Sequence, residues 1–154
     1  IKNYWSPMKR TYVGTALRLR YKVFNTSGYY FNRALGYNDF VRGYEYYVID
    51  GQTFAMLKTN VNFLLIKPRV ATVPIKRLEK FNKVPYSVYL SVHADGAFVQ
   101  DKVFYDDNPL SNSWLFGTGL GITFVTYYDD VLRVEAAVNK LREKGIVVHF
   151  SAPL

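Results

Sequence analysis

Ser91, His93 and Asp95 are the residues of this chain whose types come nearest to a hydrolytic triad. At i, i+2 and i+4 on an extended strand they project to one side. Neighbours in such a row stand about 6.6 Å apart, too far for a base to take a proton from a nucleophile. The row therefore reads as the polar face of a strand. Gly117-Thr118-Gly119-Leu120-Gly121 has the composition of a phosphate-cradling loop, but it falls inside an alternating pattern and opens no helix. Two histidines and no cysteine give no zinc-ligand spacing. Asp106-Asp107-Asn108 could offer oxygens to calcium, although with Pro109 it reads first as turn chemistry. No catalytic residue, metal or cofactor is expected.

A different chemistry is suggested by Val41-Arg42-Gly43-Tyr44, at the centre of an aromatic stretch too long for an ordinary hairpin turn. A guanidinium offers five donors in a rigid fork and suits a buried carboxylate. Gly43 lets the backbone bend where a side chain would clash. In isolation, Arg-Gly-Tyr is most simply a solvated turn; the elements around it argue otherwise.

Those elements are strands. Apolar and polar residues alternate with period two over 12–24, 53–65, 86–99, 115–128, 131–141 and 146–154. One face collects Leu17, Leu57, Val61, Val92, Leu120 and Val134. The other collects Arg18, Arg20, Lys58, Asn60, Asn62, Arg133 and Glu135, with Asp95 and the three glycines of 117–121. Between the second and third strands, 67–85 carries Pro68, Pro74 and Pro85 and is expected to be a connector with at most a short helical turn. Tight turns are expected at Tyr128-Asp129-Asp130 and at Arg142-Glu143-Lys144-Gly145. Six strands in an antiparallel meander follow.

The composition fits such a sheet. Of 154 residues, 14 are Tyr and 11 are Phe, and charged residues make up 21%. The net charge of +8 comes mostly from scattered cations, which disfavours nucleic acid as a partner. Without a run of about 18 apolar residues there is no transmembrane helix. Strands this long exceed the usual five or six residues and match the roughly 9 to 11 needed to cross a bilayer at a tilt. Tyr12, Tyr86, Trp114, Tyr127 and Tyr128 suit an interfacial belt or, equally, a buried core. A soluble all-β domain with a basic binding surface is the alternative of another class.

Taken together, these features resemble the C-terminal part of the barrel in the BamA/TamA-type outer-membrane insertase and transporter superfamily. Val41-Arg42-Gly43-Tyr44 is similar to that family's V/I-R-G-F/Y loop signature, five strands follow it, and Asp95-Gly96-Ala97 resembles its inward-facing Asp segment with the glycine displaced by one. The resemblance implies an all-β chain, the last six antiparallel strands of a transmembrane barrel of about 16 strands when complete. It implies that 1–154 lacks the N-terminal strands and periplasmic domains and that loop 25–52 folds into the lumen. Val41, Arg42, Gly43, Tyr44 and Asp95 would lock that loop, and Ile146, Val147, Val148, His149 and Phe150 would form a lateral-gate strand.

The implied function is non-enzymatic insertion or assembly of outer-membrane proteins. Two-partner secretion, or anchoring an enzymatic head, is the alternative within the family. The implied location is the bacterial outer membrane. Partners would be lipid and lipopolysaccharide, client barrel or secreted proteins, the remaining barrel strands and accessory envelope proteins. The ending Phe150-Ser151-Ala152-Pro153-Leu154 departs from the terminal aromatic usual in that family.

Overall fold

Alternation at period two becomes a sheet whose two faces differ sharply in chemistry. The structure, a computed structural model, describes residues 1–21, 33–36, 39–72, 83–102, 108–126 and 131–151. Among them are β1 (Lys2–Met8), β2 (Thr11–Tyr21), β3 (Arg33–Leu35), β4 (Ile49–Asp50) and β5 (Thr53–Thr72). They continue with β6 (Lys83–Gln100), β7 (Trp114–Thr126), β8 (Val131–Asn139) and β9 (Lys144–Ser151). Seven of these form one antiparallel sheet in the order β1-β2-β5-β6-β7-β8-β9, while β3 and β4 pair only with each other inside the loop.

Register sets which side chains meet. Ala16, Lys58, Asp95, Gly117 and Asn139 lie opposite one another across β2, β5, β6, β7 and β8. The next row on that face is Gly14, Asn60, His93, Gly119 and Ala137, and the next Tyr12, Asn62, Ser91, Gly121 and Glu135. Residues 39–52 lie over this polar face. Their Val41, Tyr44 and Ile49, with Leu35, pack on Phe54, Met56, Ala97, Val99 and Leu115 to make the core. The other face carries Leu57, Leu120, Ile146 and Phe150, all exposed. A patch of this extent is unusual for a lone domain.

Three expectations are corrected. The main sheet has seven strands rather than six, because 2–8 is also a strand. Its residues are all exposed, and Pro7 and a register shift between Trp5 and Met8 interrupt the period that would have revealed it. Next, strand pairing runs through Pro68 and Pro85 where a connector was expected. β2 covers β5 only as far as Phe63, and register shifts between Leu64 and Arg69 take up the irregularity, so the missing N–H of Pro68 falls on an uncovered edge. The centre of that connector, 73–82, the Tyr128-Asp129-Asp130 turn and Asp106-Asp107 lie outside the described residues.

The third correction concerns closure. Among the described residues, β1 and β9 each pair with a single neighbour and not with one another, so the sheet they bound is open. A barrel requires every strand paired on both sides. The expected wall of a transmembrane barrel is thus corrected to an open all-β sheet.

Candidate functional site

Val41-Arg42-Gly43-Tyr44 forms a β-turn, with the Tyr44 N–H donating to the Val41 carbonyl at 2.9 Å. Gly43 has φ of 85°, as the third position of a type II turn demands. The turn descends onto the sheet over Gly117, where an added Cβ would stand 1.8 Å from the Arg42 carbonyl oxygen. A bare glycine in β7 is what lets the loop backbone come so close.

At that point Arg42 reaches two carboxylates. Its Nη1 donates to Asp95 Oδ1 at 2.9 Å, its Nε to Glu135 Oε2 at 3.2 Å, and its backbone N–H to Asp95 Oδ2 at 3.3 Å. All three side chains are at most 8% exposed. Glu135 is crowded further by Arg133 Nη1 at 3.6 Å, His149 Nε2 at 3.5 Å and His93 Nδ1 at 3.9 Å. Burial raises the Asp95 carboxyl above its usual range despite the pull of Arg42 and Lys58. Burial, then the Arg42 charge, lowers His93 to about 4, so its imidazole is neutral at neutral pH. Lys58 is lowered by burial, partly offset by Asp95.

A second fastening holds the far side of the turn. Asn139 Nδ2 donates to the Gly43 carbonyl at 2.9 Å and to Glu143 Oε2 at 2.8 Å, and the Tyr47 hydroxyl donates to Glu143. These Asn139 and Tyr47 bonds hold the Glu143 carboxyl below its usual range. Farther on, Gln52 donates to Asp101 and accepts from the Lys102 N–H, both at 2.8 Å.

Beside the docked turn the polar face remains open in two adjoining hollows of about 350 and 300 Å³. Phe40 and His149 border the first, Tyr4, Asn60 and Asn62 the second, and Arg42, Lys58 and Arg133 border both. Phe40 bridges the first hollow, stacked on His149 with 5.8 Å between centroids and with Lys58 Nζ 4.3 Å from its ring centre. A larger hollow of about 640 Å³ lies on the apolar face among Val92, Leu120 and Ile146, with Lys144 the one charged residue at its border. It has little to orient a polar ligand.

Of the residues singled out in the sequence, Arg42 and Asp95 come together, Val41 and Tyr44 are buried in the core, and Gly43 makes the bend. Ser91, His93 and Asp95 share a face but not a relay: the Ser91 hydroxyl donates to Asn62, Asp95 receives Arg42, and neither His93 nitrogen has a hydrogen-bond partner. Ile146, Val147, Val148, His149 and Phe150 lie on β9, paired to β8 alone, and no described residue pairs along its other edge. Pro153 lies outside the described residues. Sequence reasoning placed Glu135 on the correct face but gave it no partner. It gave Phe40 and Asn139 no role and placed His149 on the gate strand, whereas the structure sets His149 against Phe40 and Glu135; all three roles depend on how the loop lands.

In three comparisons with known proteins, the chain matches no family model, no curated protein and no solved structure. The likeness to the BamA/TamA-type superfamily, carried by a short motif and its placement, therefore finds no support among known proteins, and the sheet is open where that family's is closed. Outer-membrane insertion, secretion or anchoring, a bacterial outer-membrane location, and lipid, lipopolysaccharide, client and barrel-strand partners all rested on that likeness and are corrected with it.

Proposed function

We propose that the chain is a non-catalytic all-β binding domain that receives its ligand on the basic polar face beside the docked loop. One observation carries this reading: the loop is fastened down by Arg42, yet the face next to it stays open, bordered by Lys58 and Arg133. A fixed, concave hollow with a few convergent polar groups is the usual form of a small-molecule site. The net charge of +8 favours an acidic ligand. The separate engagements of Ser91 and Asp95 favour binding over turnover. Amide chemical shifts of the whole chain, recorded against neutral sugars, acidic small molecules and short peptides, test the proposal. Saturable shifts confined to β2, β5, β8 and the loop are expected, with the compound recovered unaltered. Silence towards every class, or shifts confined to the apolar face, would overturn it.

A further inference from the structure

Within that binding face, and resting on the reading just given, we infer a site for a phosphoryl group at Lys58, Arg133 and Asn60. Charge is the first argument. Arg42 is committed to Asp95 and Glu135 at hydrogen-bonding distances. Arg133 is left with one loose 3.6 Å contact to the same Glu135, and its Nε is buried without a hydrogen-bond partner. Lys58 sits directly across from Asp95 in register but within salt-bridge reach of no described carboxylate. Its ammonium lies over the face of Phe40, 4.3 Å from the ring centre. Two cations without full compensation therefore border one space, and a phosphate group carries about two negative charges near neutral pH.

Geometry is the second argument. Lys58 and Arg133 border both hollows, so a headgroup held between them sits at their junction. Guanidinium and ammonium are complementary there, one a directional fork and the other a point charge, a pairing that suits phosphate oxygens. Asn60 Oδ1, in the second hollow, is buried and without a partner. It would accept from a hydroxyl of the ligand or from a protonated phosphate oxygen. The remaining hollow of about 300 Å³ has room for a small polar body attached to the headgroup. Glu135 also borders the first hollow, with Oε2 held by Arg42 and Oε1 without a hydrogen bond, so the anion sits on the side of Lys58 and Arg133 that faces the second hollow, where no carboxylate is among the bordering residues described. A monocarboxylate would neutralise only one of the two cations and should bind more weakly.

Pyrophosphate titrated into the whole chain at low salt, followed by amide shifts, tests the inference. Saturable shifts at Lys58, Asn60 and Arg133 are expected, with acetate at least tenfold weaker. Lys58→Gln and Arg133→Gln should each weaken pyrophosphate at least tenfold, whereas Arg69→Gln, an exposed cation at the far end of β5, should not. The wild-type shifts locate the site even if a variant fails to fold. Absence of saturable shifts, shifts elsewhere, or affinity unchanged in both variants would overturn the inference. If a sugar or peptide binds this face while pyrophosphate does not, the phosphoryl site falls and the binding domain stands. If nothing binds, both fall.

Discussion

Two arginines fasten the same loop in opposite surroundings. Arg18, on β2, pairs with Asp39 at the loop's near end with its side chain 47% exposed. Arg42 leaves the loop for the interior and meets Asp95 and Glu135, which are 0% and 3% exposed. An ion pair in water gains little, typically about 0.2 to 1 kcal/mol, because solvent already satisfies both charges. A buried pair recovers in Coulomb energy roughly what it loses in desolvation, but breaking it strands a charge. The raised Asp95 carboxyl shows desolvation outweighing attraction at that residue. The inner contact thus fixes where the loop sits rather than adding much net stability, and the outer one does little of either.

The sharpest break in that contrast is Arg42→Ala. It orphans two buried carboxylates and should cost about 3 to 5 kcal/mol in urea unfolding, with loss of amide-exchange protection at Gly43 and Tyr44. Arg42→Lys should recover less than half, since a point charge cannot serve Asp95 and Glu135 through separate nitrogens. Gly117→Ala reaches the same end without touching a charge, because its Cβ would lie 1.8 Å from the Arg42 carbonyl oxygen. A cost below about 1 kcal/mol for Arg42→Ala would put both arginines in one class.

Acid should expose the next largest effect, through His93. Its folded pKa of about 4 lies below the 6.5 of an ordinary imidazole, so the unfolded chain binds the proton first. Stability is therefore held above about pH 6.5 and lost as pH falls towards 4, by about 2 kcal/mol between pH 7 and 5. Asp95 works the other way, because its raised carboxyl protonates more readily in the fold and returns stability on acidification. His93→Leu isolates the first contribution: neither ring nitrogen makes a hydrogen bond, so an apolar side chain leaves none of its own unmade. Its stability should be flatter than wild type from pH 7 to 5. An unchanged acid limb would assign the loss to another group.

A smaller effect is expected at the bend itself. Gly43→Ala places a side chain at φ of 85° and a Cβ 3.0 Å from Asn139 Cβ. The left-handed region costs a substituted residue about 1 to 2 kcal/mol, and the crowded Asn139 must shift. Thermal unfolding should report that loss, while the Arg42–Asp95 bond survives as continued exchange protection of the Arg42 amide. Loss of that protection would mean the turn and the ion pair act as one unit.

How far the sequence reached follows from the same physics. Period two revealed β2 and β5 to β9 and their two faces, because alternation survives wherever one face is buried. β1 escaped because it is an exposed edge containing Pro7. The proline-bearing ends of β5 and β6 escaped because they pair with each other beyond the reach of β2 and β7. Within the site, a fork-shaped donor on a Gly-bent loop and a lone acid on a polar row already suggested Arg42 and Asp95. Glu135 was in view but could not be ranked, since its contact with Arg42 depends on the loop landing between β6 and β8. The likeness to a barrel family failed because alternation and a four-residue motif report strands and a bend, and neither reports whether the sheet closes.

The smallest expected effect completes the contrast. Arg18 pairs with Asp39 across the gap between β2 and the loop, in a region where Gly36 N–H already donates to the Asp39 carbonyl at 2.7 Å. That backbone bond persists whatever happens to the side chains. Arg18→Ala should therefore cost less than about 1 kcal/mol, and half a molar of salt should erase most of the difference from wild type. In a double-mutant cycle, Arg18→Ala with Asp39→Asn should give a coupling below about 1 kcal/mol, against a clearly larger one for Arg42→Ala with Asp95→Asn. A large, salt-resistant coupling at Arg18 would mean that the loop is held from its rim as much as from its centre.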